Sequence, residues 1–112
     1  MIDPKQLPHL EGEVTFTLDN GVELHEEFPD TFALPSEAER TRLVPGQFAK
    51  LIFRMTDGEQ VAVERMWVMV REVTSAGYRG ELFNQPYCTQ SILRGLVVEF
   101  RAEHVIQIRA GG

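Results

Sequence analysis

Residues 48–73 read FAKLIFRMTDGEQVAVERMWVMVREV, two long apolar runs parted by the turn-forming pair Asp57-Gly58. Period-two alternation puts Ala49, Leu51, Phe53 and Met55 on one face of the first run and Phe48, Lys50, Ile52 and Arg54 on the other, a strand with one dry face. In the second run Val63, Trp67 and Met69 fall on one side and Met66, Val68 and Val70 on the other. The middle of that strand is apolar all round and needs cover on both faces. Trp67 is expected in the core, with an acceptor for its indole N–H. Glu64 and Arg65 are expected at the rim of the sheet, bridging cross-strand neighbours.

Working outward toward the N-terminus, residues 1–10 carry Pro4 and Pro8 without periodicity and read as an extended lead-in. Val14, Phe16 and Leu18 then alternate with Glu13, Thr15 and Thr17, a half-buried strand. Asp19-Asn20-Gly21 is read as a three-residue loop with Gly21 left-handed. That register pairs Leu18 with Val22 and Phe16 with Leu24, giving a hairpin over residues 11–28. Phe32 and Leu34 are expected to tuck inward from a loop. Ser36 and Glu39 form a capping-box pattern that opens a short helix to about Leu43, and Pro45-Gly46 ends it. Toward the C-terminus follow a short strand over residues 78–83, an irregular stretch over 84–91, a strand over 96–101, one helical turn and a last short strand over 106–108. Six or seven short strands with one short helix predict an α+β, mainly β fold: a curved antiparallel sheet or partly open SH3-like barrel with an N-terminal hairpin.

The chain of 112 residues fits a single domain that buries a core without disulfide or metal support. No apolar run approaches the roughly 20 residues of a membrane helix. The opening MIDPKQLPHL lacks the apolar stretch of a secretory signal, and Cys88 is the single cysteine, so a reducing cytoplasm is the expected location. The net charge of −6 is uneven. Residues 1–40 hold ten acids against Lys5 and Arg40, while residues 41–112 carry a small basic excess. Such a chain is ill suited to nucleic acid, whose phosphates demand a basic stripe, and its acidic third is suited to a basic protein partner.

In the predicted hairpin Glu13, Glu23 and Glu27 project from the solvent face, with Glu26 and Asp30 near its end; these five are the candidate partner-binding residues. A second candidate is a cleft between hairpin and barrel lined by Trp67, Tyr78, Tyr87 and His104. His9, His25 and His104 are far apart and fit no metal-ligand spacing, and Cys88 lacks the flanking signature of a nucleophile. No catalytic residue, metal or cofactor is expected.

The spaced set Arg42-Leu43, Gly46, Lys50-Leu51-Ile52-Phe53, Glu64-Arg65-Met66-Trp67-Val68, Gly80, Leu82, Asn84, Pro86, Leu93, Gly95, Val98, Phe100 and His104-Val105-Ile106 resembles a family of small bacterial proteins known only as a domain of unknown function. The resemblance spans residues 36–108, and its most specific part is ERMWV followed by Gly-x-Leu-x-Asn-x-Pro. Gln47 and Leu96 depart from it, since members often place an acid after each turn glycine. Related domains occur as immunity proteins beside secreted toxins, so the resemblance implies a non-enzymatic, toxin-neutralising binding protein and supplies no active site. The alternatives are a small-ligand binder or enzyme using the aromatic cleft, and an accessory domain that pairs with itself through a strand edge.

Overall fold

The computed structural model describes residues 9–111, so most of the lead-in, with Pro4 and Pro8, lies outside the described residues. The elements in chain order are β1 (Thr15–Leu18), α1 (Gly21–Glu27), α2 (Glu37–Arg40), β2 (Phe48–Asp57), β3 (Gln60–Val73), β4 (Tyr78–Leu82), β5 (Val97–Phe100), a 3-10 turn (Ala102–His104) and β6 (Gln107–Arg109). Among the described residues the strands form one antiparallel sheet in the order β1-β2-β3-β4-β5, with β6 also on β2, curled into a half-barrel. The mainly β, curved antiparallel architecture is as the sequence predicts.

The β2–β3 hairpin is the spine. Its register runs without a break from Phe48 opposite Met69 to Asp57 opposite Gln60. Gly58, the first of the two loop residues, takes a φ of +58°, which costs glycine nothing. The sheet bends on the far side of β3, where the β4 register shifts between Val70 and Glu72. Gly80 sits beside that bulge, and a Cβ there would overlap the Met69 carbonyl oxygen.

The expected hairpin over residues 11–28 does not form. β1 pairs directly with β2, Phe16 opposite Met55 and Leu18 opposite Phe53, and the Phe16 and Phe53 rings lie 5.3 Å apart. The residues meant for the second strand are helix α1. Asn20 caps it, its side chain accepting the Glu23 N–H at 3.1 Å. Gly21 opens the first turn instead of a left-handed bulge, and it is small because Ile106 and Leu34 pack against it. The sequence GVELHEE favours the helix over the strand, and the long edge of β2 offers β1 a better partner. The predicted single helix is also shorter than expected: α2 stops at Arg40, although both bonds of its Ser36–Glu39 capping box are made.

The core lies on the concave side of the sheet. Leu51, Phe53, Met55, Val68, Val70, Leu82 and Val98 are all but fully buried there, with Val105 and Cys88 closing the ends. Leu10 plugs one end of this core, its N–H bonded to the Cys88 carbonyl at 2.6 Å. Each such side chain contributes roughly 1.5–3 kcal/mol of transfer free energy.

Candidate functional site

Three sets of polar residues bear on function, and the sheet sorts them by face. On the core side, the inward alternation of β3 includes Glu64 among Ala62, Met66, Val68 and Val70. It is not a rim charge: it is 7% exposed, and its carboxylate accepts the N–H groups of Tyr87 and Cys88 at 3.0 Å. The irregular 84–91 stretch is thereby tied to the sheet. The Asn84 side chain adds a second tie, its Oδ1 accepting the backbone N–H of Trp67 at 2.6 Å. Cys88 is buried beside Glu64, and burial first, then the carboxylate, pushes its thiol up to about 12. The raised pKa favours the thiol form, and the sulfur packs 3.7 Å from that of Met55.

On the convex face the pattern is cationic and aromatic. Lys50 stands opposite Trp67 across the strands, with its ammonium 5.4 Å from the ring centre. Arg109 of β6 reaches over both Trp67 and Phe48, at 5.4 Å from each. Arg94 lies 4.3 Å over Phe83, which packs edge-on against Phe48, and Arg65 lies 5.3 Å over Phe32. Trp67 is therefore half-buried on the face away from the core, a correction to its expected place. The cover that β3 needs on this side comes from cationic side chains, which lay their apolar stems along the surface and keep their charges in water. The ion pairs of this face lie at its margins, Arg54 with Asp19, Arg71 with Glu81, and Arg79 with Glu72 and Glu99. Lys50, Arg65, Arg94 and Arg109 have no carboxylate within ion-pair distance among the described residues.

No family model, curated protein or solved structure matches the chain.

The predicted acidic residues survive as a group in a different setting. Glu23, Glu26 and Glu27 stand at helical spacings of three and four on α1, and all are exposed, as are Glu13 before β1 and Asp30 after the helix. The predicted aromatic cleft does not assemble. Trp67 and Tyr87 line one groove, but Tyr78 points into the core on the same alternation as Leu82. Its hydroxyl donates to the Arg40 carbonyl at 2.7 Å and accepts the Leu43 N–H at 3.3 Å, pinning α2 to the sheet. His104 is half-buried in the 3-10 turn, where its Nδ1 accepts the Arg101 N–H at 2.9 Å. Burial lowers its pKa from the ordinary value, Glu103 opposes that shift and Arg101 adds to it.

The sequence misplaces buried Glu64, which is expected at the rim, and does not gather Arg65 with Lys50, Arg94 and Arg109. The signal for the first was present, since Glu64 alternates with Met66 and Val68. The second depends on β6 returning to β2 and on the 84–96 segment folding back over Phe83, and no local pattern encodes those contacts. The arrangement as a whole offers anion-seeking cations held on flat apolar rings. Among the described residues no group of three or more His, Cys, Asp or Glu is placed to hold a metal ion.

Proposed function

We propose that this protein is a non-enzymatic protein-binding module whose convex sheet face is the binding surface. The observation that carries the reading is the set of four cations stacked on Trp67, Phe48, Phe83 and Phe32 without carboxylate partners among the described residues. Aromatic and arginine side chains are the residues that dominate protein interfaces, and an acidic partner would supply the missing counter-charge. The module is read as working in a reducing cytoplasm, where its one cysteine stays a buried thiol.

A second reading is the one the family resemblance implies, a toxin-neutralising protein that docks a basic partner on its acidic helix. What favours it is that Glu23, Glu26 and Glu27 share one exposed stretch of α1 with no cation paired to them among the described residues.

Two variants separate the readings. Trp67→Ala with Arg109→Glu damages the convex face, and Glu23→Gln with Glu26→Gln and Glu27→Gln neutralises the helix. Each is immobilised beside the parent chain in native lysate, and the retained proteins are identified and then rebound in purified form. Loss of a partner with the first variant and retention with the second supports the convex face. The reverse pattern moves the site to the helix, and retention by both variants removes both surfaces. Helix docking also predicts association that slows with salt.

A further inference from the structure

Lys50 and Arg65 are diagonal neighbours on β2 and β3, and both side chains line two different grooves. One groove, of about 470 Å³, runs between the 31–35 loop and β6, with Phe32, Leu34, Pro35, Ile106 and Ile108 as its apolar walls. The other, of about 340 Å³, lies between β3 and the 84–87 segment and is lined by Trp67, Met66, Asn84, Gln85 and Tyr87. The two cations form the ridge where the grooves meet.

Each groove also contains one carboxylate, and both are already engaged. Glu39 accepts the N–H and hydroxyl of Ser36 at 3.1 and 3.0 Å, and Glu64 accepts Tyr87 and Cys88 N–H groups at 3.0 Å. Neither turns toward Lys50 or Arg65 at ion-pair distance. The ridge therefore presents two positive charges beside apolar surface, where a carboxylate from outside forms a stronger charge-assisted bond than it would in open water. A lone small anion would satisfy the ridge and leave both grooves to water. An extended chain does more, because its side chains at i and i+2 point the same way about 7 Å apart, so one acidic residue on the ridge sends its neighbours into the two grooves.

The geometry points to an extended acidic peptide segment of a partner protein as the occupant: a Glu or Asp on Lys50 and Arg65, an apolar side chain two residues away between Phe32 and Ile106, and a flat side chain on the other flank against the exposed Tyr87. This rests on the reading that the convex face is the binding surface and names the chemistry it takes.

Short synthetic peptides test it, with leucine and tyrosine flanking a central glutamate at two-residue spacing, compared with the same peptide carrying central glutamine and with free inorganic phosphate. Binding is followed by fluorescence anisotropy. The glutamate peptide is expected to bind, and central glutamine, Lys50→Gln or Arg65→Gln is expected to weaken it by about tenfold or more, the cost of one charge-assisted contact. Glu59→Gln in the β2–β3 turn, which lines neither groove, leaves binding unchanged. Thermal melting of each variant confirms that it is folded. Equal binding of the glutamate and glutamine peptides overturns the proposal, and so does phosphate competing as well as the peptide. A captured partner that depends on Trp67 and Arg109 but not on Lys50 and Arg65 also overturns it, while leaving the convex face as the binding surface.

Discussion

The two faces of the β2–β3 hairpin are written on alternate residues of the same strands, yet they solve opposite problems. Ala49, Leu51, Phe53 and Met55 turn to a core in which the carboxylate of Glu64 is satisfied by backbone N–H groups. Phe48, Lys50, Arg65 and Trp67 turn to a face with no second layer of strands among the described residues, where positive charges sit on aromatic rings and stay accessible. The inner face shows that apolar alternation suffices to build a core. The outer one shows that a large aromatic residue in an apolar strand does not by itself identify the core side.

The largest expected effect tests the inner face. Phe53→Ala should destabilise by about 3–5 kcal/mol, because Phe53 is 0% exposed, packs on Phe16, and leaves a cavity that strands on both sides of β2 cannot close. Urea denaturation measures it, and a loss near that of an exposed residue would end the distinction between the faces.

Next comes the carboxylate inside. Glu64→Ala should cost roughly 2–3 kcal/mol, since it leaves the buried Cys88 N–H and the part-buried Tyr87 N–H without their acceptor, while Glu64→Gln retains one acceptor oxygen and should cost less. Hydrogen exchange should then quicken in the 84–91 segment first. Unchanged protection there with Glu64→Ala would mean that the carboxylate does not hold the segment down.

Trp67→Ala is the direct foil to Phe53→Ala. Its ring is half-buried under Lys50 and Arg109, so about 1–2 kcal/mol of stability is expected to go, well short of the Phe53 loss, together with binding through the convex face. A loss as large as that of Phe53 would place Trp67 in the core after all.

What the sequence made legible follows the same division. The inward face of β2, the capping box at Ser36 and the strand over residues 96–101 all rest on local periodicity or on one short hydrogen-bonded motif, and each is found where expected. Residues 19–28 failed because Asn20-Gly21 serves equally as a hairpin turn and as a helix start, and the choice was made by residues 53–56 of β2, more than thirty positions beyond Asn20. The aromatic cleft failed because it joined Tyr78 and His104 to Trp67 by residue type, whereas alternation within β4 already turned Tyr78 toward Leu82 and the core. The cation cluster draws on β2, β3, β6 and the 84–96 segment, and sequence distance hides it.

The smallest expected effect asks whether the outer face is anchored at its edge by the 3-10 turn that leads into β6. Nδ1 of His104 accepts the Arg101 N–H, a role open only to the neutral ring, and the Ala102 carbonyl in the same turn accepts from the buried Arg40. Burial, aided by Arg101 and opposed by Glu103, holds the folded His104 pKa below the value near 6.5 of an unfolded chain. Between those two values the unfolded state binds a proton that the folded state refuses, so stability falls as pH drops from about 6.5 toward the folded pKa and levels off below it. His104→Asn keeps an acceptor oxygen in nearly the same place but cannot titrate. The variant should therefore lose less stability than the parent chain on acidification through that window, with little difference between them at higher pH. Denaturation curves across the range measure the difference, and an NMR titration of the His104 ring should give a midpoint below the ordinary one. A midpoint at or above it would show that the turn tolerates the charged ring, and the edge of the outer face would then owe nothing to His104.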